Sequence, residues 1–162
     1  MPYKGGLNML SYEGIFFDED MVNIIHSLEN EKLAMVNDEI HCTFKYHPSD
    51  DEIFDDIVGQ TFEIYLIGYG NDRKNSGFEI LLPDELKRYY INSDEKNPEV
   101  LKVPHITASL AEGAKASDTK DLYFKQLKTP IKLVGRFGYW IKEEEGINEY
   151  LSFEPYGKNK AR

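Results

Sequence analysis

The sequence predicts one mixed α+β domain that spans residues 1–162. A chain of 162 residues has the usual size of a single domain and buries about two-thirds of its unfolded surface. Aromatic residues make up 13% of the chain, and such bulky side chains favour strands. Short apolar runs with strand period and helix period alternate along the sequence, which is typical of a compact mixed domain.

The first half of the chain is expected to form four strands and three helical segments. Asp18 is a suitable N-cap, and the apolar residues after it recur at helical spacing, which predicts a helix to about Val36. Ser49 is expected to cap a short acidic helix, and Pro83 to open a helical turn through Tyr90. Strands are predicted at 10–17, 39–46, 61–69 and 77–82, the last two as a hairpin, and a polar loop at 92–98.

The second half is expected to follow a similar order. Strands are predicted at 104–110, 131–141 and 148–153, a loop at 111–119, a short helix at 121–127, a turn at 143–146 and a loose basic tail at 158–162. Each half has a strand with a histidine, a short helix, a long strand with a glycine, a turn and another strand. This weak internal repeat predicts two similar lobes with a cleft between them.

Composition and charge exclude several functional classes. The net charge is −10, and a surface that binds long nucleic acid is normally basic, so we expect no duplex partner. A small phosphorylated ligand in a pocket remains compatible, because donors at short range outweigh a distant, screened field. The single cysteine, Cys42, excludes an internal disulfide framework and a cysteine-based zinc cluster. The apolar runs are short and the start lacks a signal core, so we expect a cytoplasmic protein with no membrane partner.

Two of the four histidines lie in the same tripeptide frame. The frames are His41-Cys42-Thr43 and His105-Ile106-Thr107, and each begins a predicted strand. Residues i and i+2 of a strand point to one face, so each histidine is expected to project together with its threonine. Cys42, Phe44 and Tyr46 would then face the core on the first strand.

This arrangement suits cleavage of a phosphodiester. The reaction needs a base for the attacking oxygen and an acid for the leaving oxygen, and histidine serves both roles because its ordinary pKa is about 6.5. The nonbridging oxygens gain charge in the transition state and need fixed donors, which threonine hydroxyls supply. A zinc site made from histidines is disfavoured, because no pair has close ligand spacing such as H-E-x-x-H.

The frames IHCTF at 40–44 and PHITASL at 104–110 resemble the motifs of the 2H phosphoesterase superfamily, which is named for two His-x-Thr/Ser motifs. That superfamily includes RNA 2′,3′-cyclic phosphodiesterases, the cyclic phosphodiesterase domain of fungal tRNA ligases and phage anti-CBASS nucleases. The resemblance covers about residues 12–154, and outside the motifs it rests on element order. It implies a bilobal α+β fold, with two pseudo-symmetric lobes and antiparallel sheets around a central groove, and it implies no metal and no cofactor.

The resemblance also implies roles for individual residues. Carried over by position, His41 and His105 are the acid and the base, in an order left open, and Thr43 and Thr107 are the phosphate donors. Glu39 and Lys45 depart from the apolar flanks of the first motif without touching the catalytic positions. Two substrate contacts are expected from position in the chain. Tyr12 is the preferred base-stacking residue, and Ser109 shares the predicted face of His105, although plain solvent exposure explains Ser109 equally well.

The leading functional hypothesis is a metal-independent phosphodiesterase that uses two histidines in general acid–base catalysis. Its substrate is expected to be a small cyclic nucleotide, a cyclic oligonucleotide signal or an RNA end with a 2′,3′-cyclic phosphate. The alternative is a nucleotide-binding module without catalysis, which sequesters or senses its ligand. A protein–protein adaptor that uses the aromatic surface ranks third.

Overall fold

The computed structural model describes residues 8–143 and 148–157, and the strands of these residues form one continuous antiparallel sheet. The predicted loose tail and most of the predicted turn at 143–146 lie outside the described residues. The strands are β1 (Asn8–Phe16), β2 (Met35–Val36), β3 (His41–Tyr46), β4 (Thr61–Asn71), β5 (Asn75–Leu81), β6 (His105–Leu110), β7 (Lys125–Glu143) and β8 (Glu149–Ser152). The helices are α1 (Glu19–Leu28) and α2 (Asp84–Lys87), with 3-10 turns at Asp50–Glu52 and Ala116–Asp121.

The α+β class and the antiparallel pairing are as predicted. The prediction of separate sheets is corrected, because all eight strands of the described residues belong to one sheet in the order β2-β6-β5-β4-β7-β1-β3, with β8 on β7. The long strand β7 joins its two halves, since it pairs with β1 on one side and with β4 on the other. The predicted hairpin is confirmed as β4 and β5, from Tyr65 opposite Leu81 to Asn71 opposite Ser76.

The core lies on the face of the sheet covered by α1. Along β4, buried and more exposed residues alternate, so Phe62, Ile64 and Leu66 face inward. The helix contributes Val22 and Ile25, both buried. This alternation is the two-residue period of a half-buried strand, and the hydrophobic effect holds the sheet against the helix.

The first helix is shorter than predicted. Its start is confirmed, because the Asp18 carboxylate accepts a hydrogen bond from the Met21 N–H at 3.0 Å. It ends at Leu28 instead of Val36, since Glu29 has extended backbone angles and its carboxylate is buried. That carboxylate accepts hydrogen bonds from Ser76 and Ser109, so the chain leaves the helix where these contacts form.

Three other segments differ from the sequence prediction. The acidic helix after Ser49 is only the 3-10 turn Asp50–Glu52, and the loop at 111–119 contains the start of a second one. The predicted helix at 121–127 is absent, because β7 already begins at Lys125 and pairs there with Tyr69 of β4. Pairing with β4 therefore overrides the weak local helix preference of this stretch.

Both histidine strands carry a β-bulge directly after their threonine. In β3, Thr43 pairs with Gly14 but Lys45 pairs with Glu13, which leaves Phe44 as the extra residue. In β6 the extra residue is Ala108, since Thr107 pairs with Gly77 and Ser109 with Ser76. Each bulge breaks the two-residue period, so the residues that follow Phe44 and Ala108 change face.

A glycine opposite each threonine permits this geometry. A β-carbon on Gly14 would lie 2.1 Å from the Cys42 carbonyl oxygen, and one on Gly77 would lie 2.4 Å from the Ile106 carbonyl oxygen. Both distances are far below van der Waals contact, so only glycine fits. The two halves of the sheet thus share a local design of histidine, threonine, bulge and facing glycine.

The curvature of the sheet brings the two histidine strands together. β3 is an edge strand at one end of the order and β6 lies near the other end, yet Cα atoms of the two strands approach within 8 Å. Cys42 is fully buried, and its thiol lies near the backbone of His105. Burial raises the pKa of that thiol to about 12, so Cys42 is a core residue and not a nucleophile.

Candidate active site

The two His-x-Thr frames line one cavity. His41 and Thr43 enter it from β3, and His105 and Thr107 enter it from β6. Its volume is about 60 Å³, and the other lining residues are Asn37, Tyr46, Asn92, Lys102, Ala116 and Ser117. Strand geometry explains the pairing within each frame, because residues two apart face the same side. The meeting of the frames follows from the curvature of the sheet.

His41 is held through its Nδ1 atom. That nitrogen donates to the Glu39 carboxylate, with distances of 3.0 Å to Oε1 and 3.2 Å to Oε2. The Tyr12 ring stacks on the imidazole with 4.6 Å between centroids. No hydrogen bond within the described part of the chain reaches His41 Nε2, so this nitrogen is available to a ligand in the cavity. A carboxylate that fixes the tautomer and orientation of a histidine is the usual device of acid–base sites.

His105 is held in a different way. Its Nδ1 donates to the Val103 carbonyl oxygen at 2.6 Å, so in the neutral ring Nε2 carries the lone pair. Burial lowers the pKa of His105 below its ordinary value of 6.5, and the nearby positive charge of Lys102 and the His41 ring lower it further. The imidazole of His105 is therefore neutral at pH 7, with a basic nitrogen free among the described residues.

The Thr107 hydroxyl belongs to an oriented chain. Asn75 donates from Nδ2 to the Thr119 hydroxyl at 3.0 Å, and the Thr119 and Thr107 hydroxyls lie 2.8 Å apart. Asn75 and Thr119 are both buried. Because Thr119 accepts from Asn75, its own hydroxyl can donate a hydrogen bond to the Thr107 oxygen. The Thr107 hydroxyl is then free to donate its hydrogen bond into the cavity.

The Thr43 hydroxyl is also available to a ligand. Thr43 is 9% exposed, and its backbone carbonyl accepts from Asn92 Nδ2 at 3.2 Å. Its side chain makes no hydrogen bond to any residue in the ranges 8–143 and 148–157. Two hydroxyls and two imidazole nitrogens therefore converge on a space the size of one small anion.

The predicted substrate contacts of Tyr12 and Ser109 do not lie in this cavity. Tyr12 stacks on His41, and its hydroxyl donates to Glu39 Oε1 at 3.5 Å, so it contacts both the imidazole and the carboxylate that orients it. Ser109 is fully buried, donates to Glu29 Oε2 at 2.6 Å and accepts from the Leu33 N–H at 3.0 Å. The bulge at Ala108 is the physical reason, because it turns Ser109 from the face of His105 toward α1.

The bulge in β3 has the same effect on the residues after Thr43. Tyr46, expected in the core, is 44% exposed and lines the cavity. Lys45 lines a neighbouring cleft instead, with its ammonium 3.9 Å from Glu52 Oε2. The other two histidines lie outside the cavity: His26 bonds Glu29 at 2.8 Å on α1, and His47 lines the same cleft as Lys45.

Sequence reasoning did not single out several residues of the site, among them Glu39, Asn37, Asn92 and Lys102. Glu39 had a usable signal, because it lies two residues before His41 at the start of the predicted strand 39–46, where residues two apart share a face. The other three lie in connections between strands, where no periodicity marks orientation. Only the tertiary structure brings them to the cavity.

A larger cleft adjoins the cavity. Its volume is about 660 Å³, and it shares Tyr46, Asn92, Lys102 and Ser117 with the smaller space. The rest of its wall consists of Lys45, His47, Ser93, Asp94, Glu95 and Pro98. The region therefore combines a small polar cavity with an open, mixed-charge extension of the size that holds organic ligands.

Comparisons with known proteins add no assignment: no protein-family model matches the chain, and no curated protein matches it. Within the described residues, no group of three or more His, Cys, Asp or Glu side chains is arranged to hold a metal ion. No helix of those residues is long and apolar enough to cross a membrane.

Proposed function

We propose that this protein is a phosphodiesterase that uses His41 and His105 as a general acid–base pair on a nucleotide phosphodiester, without a metal. The observation that supports this most strongly is the convergence of two imidazoles on one cavity, each bonded through Nδ1 and each with Nε2 free among the described residues. The likeness of the two frames to the 2H phosphoesterase motifs points the same way. The shared bulge and facing glycine support a repeated origin of the two frames, as the resemblance to that superfamily implies.

The surroundings of the two rings assign the roles. His105 is the base, because its lowered pKa leaves it neutral and its Nε2 lone pair faces the cavity. His41, the other imidazole of the cavity, is then the acid, because the Glu39 carboxylate holds its Nδ1 and leaves Nε2 to face the leaving oxygen. Thr43 and Thr107 donate their hydroxyl protons to the nonbridging oxygens as charge builds on them.

Hydrolysis of a 2′,3′-cyclic phosphate uses both imidazoles. His105 Nε2 takes a proton from water, and the water oxygen forms a bond to phosphorus. The bond from phosphorus to one ribose oxygen breaks, and that oxygen takes the proton from His41 Nε2. A substrate 2′-hydroxyl in place of water gives the corresponding cleavage of a 3′–5′ linkage, with a 2′,3′-cyclic end as product.

The test is a product screen with matched variants. Purified protein is incubated with nucleoside 2′,3′-cyclic phosphates, cyclic dinucleotides, cyclic trinucleotides and RNA that ends in a 2′,3′-cyclic phosphate, and products are identified by mass spectrometry. His41→Ala and His105→Ala should each lower kcat by about 10²–10⁴-fold, and added imidazole should restore part of the loss. Activity should be unchanged by EDTA.

Three outcomes would contradict the proposal. Full activity in either histidine variant removes the acid–base assignment, and strong inhibition by EDTA favours metal chemistry. Tight binding with every ligand recovered intact assigns the protein to the non-catalytic class of nucleotide-binding modules.

A further inference from the structure

Lys102 is a buried cation without a hydrogen-bonded partner among the described residues. Its side chain is only 4% exposed, and the nearest carboxylate oxygen, Glu95 Oε1, lies 3.7 Å from Nζ, beyond hydrogen-bond distance. The Tyr46 ring lies below the ammonium, with 5.5 Å from Nζ to the centroid. Glu95 is itself 81% exposed, so its contact stabilises the ammonium only weakly, and the ammonium is available to an anion in the cavity.

The position of Lys102 explains what such a cation can bind. It lines both the catalytic cavity and the larger cleft, so it lies on the wall that the two spaces share. The catalytic cavity already offers four groups to one phosphate, from two threonines and two histidines. Its volume of about 60 Å³ corresponds to about four to six water-sized spheres, which is the size of a phosphate group and not of a nucleoside.

The remainder of any nucleotide substrate must therefore lie outside the catalytic cavity. The adjoining cleft is about ten times larger, with 660 Å³ against 60 Å³. It presents the Tyr46 ring and the cations Lys45 and Lys102 on one continuous surface. Aromatic faces stack bases, and an ammonium binds phosphate as a point charge.

We infer that Lys102 binds a second phosphate, next to the scissile one, and that the substrate is an oligonucleotide with at least two phosphates whose neighbouring nucleotide occupies the larger cleft. This inference rests on the proposed function, which assigns the first phosphate to the cavity between His41 and His105. On this inference the protein binds oligonucleotides, linear or cyclic, more tightly than mononucleoside cyclic phosphates. It also explains how an acidic protein with a net charge of −10 holds a polyanion, because a cation within contact distance outweighs a distant, screened field.

Binding of an inert probe tests the inference without any turnover. The probes are the deoxydinucleotide dApdA, which lacks a 2′-hydroxyl nucleophile, and the same molecule with one more phosphate at its 5′ or 3′ end. Calorimetry on the wild-type protein should show that the added phosphate at one end tightens binding by about tenfold, as expected for a charge-assisted contact. Lys102→Gln should remove this gain and leave dApdA binding within about twofold.

Lys87→Gln is the matched control. Lys87 is 57% exposed, pairs with Asp84 at 2.8 Å and lines neither space, so the same loss of charge should leave the phosphate gain intact. Glu95→Gln is a second variant that changes an exposed side chain. It keeps the inference testable if Lys102→Gln does not fold. Because Glu95 competes with phosphate for the ammonium, its removal should tighten binding of the phosphorylated probe by about threefold.

Each contrary result overturns the inference. Equal affinity for all probes in the wild-type protein, absence of binding, or a full phosphate gain in Lys102→Gln excludes a second phosphate site at this lysine. Equal weakening of dApdA and the phosphorylated probes in Lys102→Gln assigns the lysine to the scissile phosphate instead. Weaker or unchanged binding in Glu95→Gln contradicts the competition. A phosphate gain without turnover of any phosphodiester supports the site at Lys102 and refutes the proposed catalysis.

Discussion

Glu13 should make the stability of this protein fall as pH rises, and Glu13→Gln should remove that dependence. The residue is completely buried in β1, and its Oε1 accepts one hydrogen bond from the Phe54 N–H at 3.4 Å. Its Oε2 has no hydrogen-bond partner in the described part of the chain. Burial raises the pKa of Glu13 from 4.5 to about 8, and the charges of Glu52 and Asp55 add to this more than Lys45 offsets.

The sign and the size of the effect follow from that shift. The folded chain holds the proton more tightly than the unfolded chain, so the stabilisation is complete below pH 4.5 and is lost as pH rises through about 8. One pH unit corresponds to ~1.36 kcal/mol, so the contribution lost is at most about 3 kcal/mol at pH 7 and about 5 kcal/mol at pH 9. Glutamine has the same shape and does not ionise, so the variant should keep its stability over this range.

Urea denaturation at pH 5, 7 and 9 measures this directly. The difference in unfolding free energy between Glu13→Gln and the wild type should grow by several kcal/mol in favour of the variant from pH 5 to pH 9. Glu63→Gln is the control, because Glu63 is 62% exposed and its one ion pair within the described residues is with surface Lys132 at 3.6 Å. A difference that stays constant within about 1 kcal/mol across the range would refute a neutral, buried Glu13.

Three further predictions concern the site. Glu39→Gln should lower kcat about tenfold and leave KM within about twofold, because Glu39 orients His41 by a charge-assisted hydrogen bond but does not line the cavity. Thr119→Val should lower kcat severalfold and cost about 1–2 kcal/mol of stability by urea denaturation, since the Thr107 hydroxyl loses its orienting partner. The acid limb of kcat/KM against pH should have its midpoint below 6.5, because His105, the proposed base, has a lowered pKa and must be neutral to accept a proton.

The results that would contradict these predictions are distinct. A higher KM with unchanged kcat in Glu39→Gln would mean that Glu39 contacts the substrate. An active Thr119→Val protein with wild-type kcat would mean that Thr107 needs no orientation. An acid limb above pH 6.5 would remove the assignment of the base.

The strand pattern of the site was predictable from local spacing as far as Phe44 and Ala108, but the orientation of the residues after these bulged positions was not. His41 with Thr43 and His105 with Thr107 share faces as the two-residue period predicts. Ser109 does not share the face of His105, because a bulge at Ala108 interrupts the period. That bulge depends on how β6 pairs with β5 and on Gly77, which lies opposite Thr107 and thirty residues before it. The two-residue period of one strand does not show how that strand pairs with its neighbour, so it cannot predict a bulge.

The two ends of α1 differ in the same way. The N-terminus of α1 is encoded in Asp18 itself, whose carboxylate caps a turn three residues away. Its C-terminus depends on Glu29 meeting Ser76 and Ser109, which lie 47 and 80 residues further along the chain. Helical spacing of apolar residues continued past Leu28, but the buried hydrogen bonds of one carboxylate ended the helix.

The amino-acid sequence alone determined the α+β class, the hairpin of β4 and β5 and the pairing of each histidine with its threonine, because these depend on backbone periods and turn residues close in the chain. Only the tertiary structure decided that β3 and β6 meet across one cavity, that Glu39 and Val103 hold the two imidazoles, and that Lys102 lies between two spaces. The physical reason is that strand curvature, bulges and burial arise from contacts between distant segments, and their energies exceed any local preference.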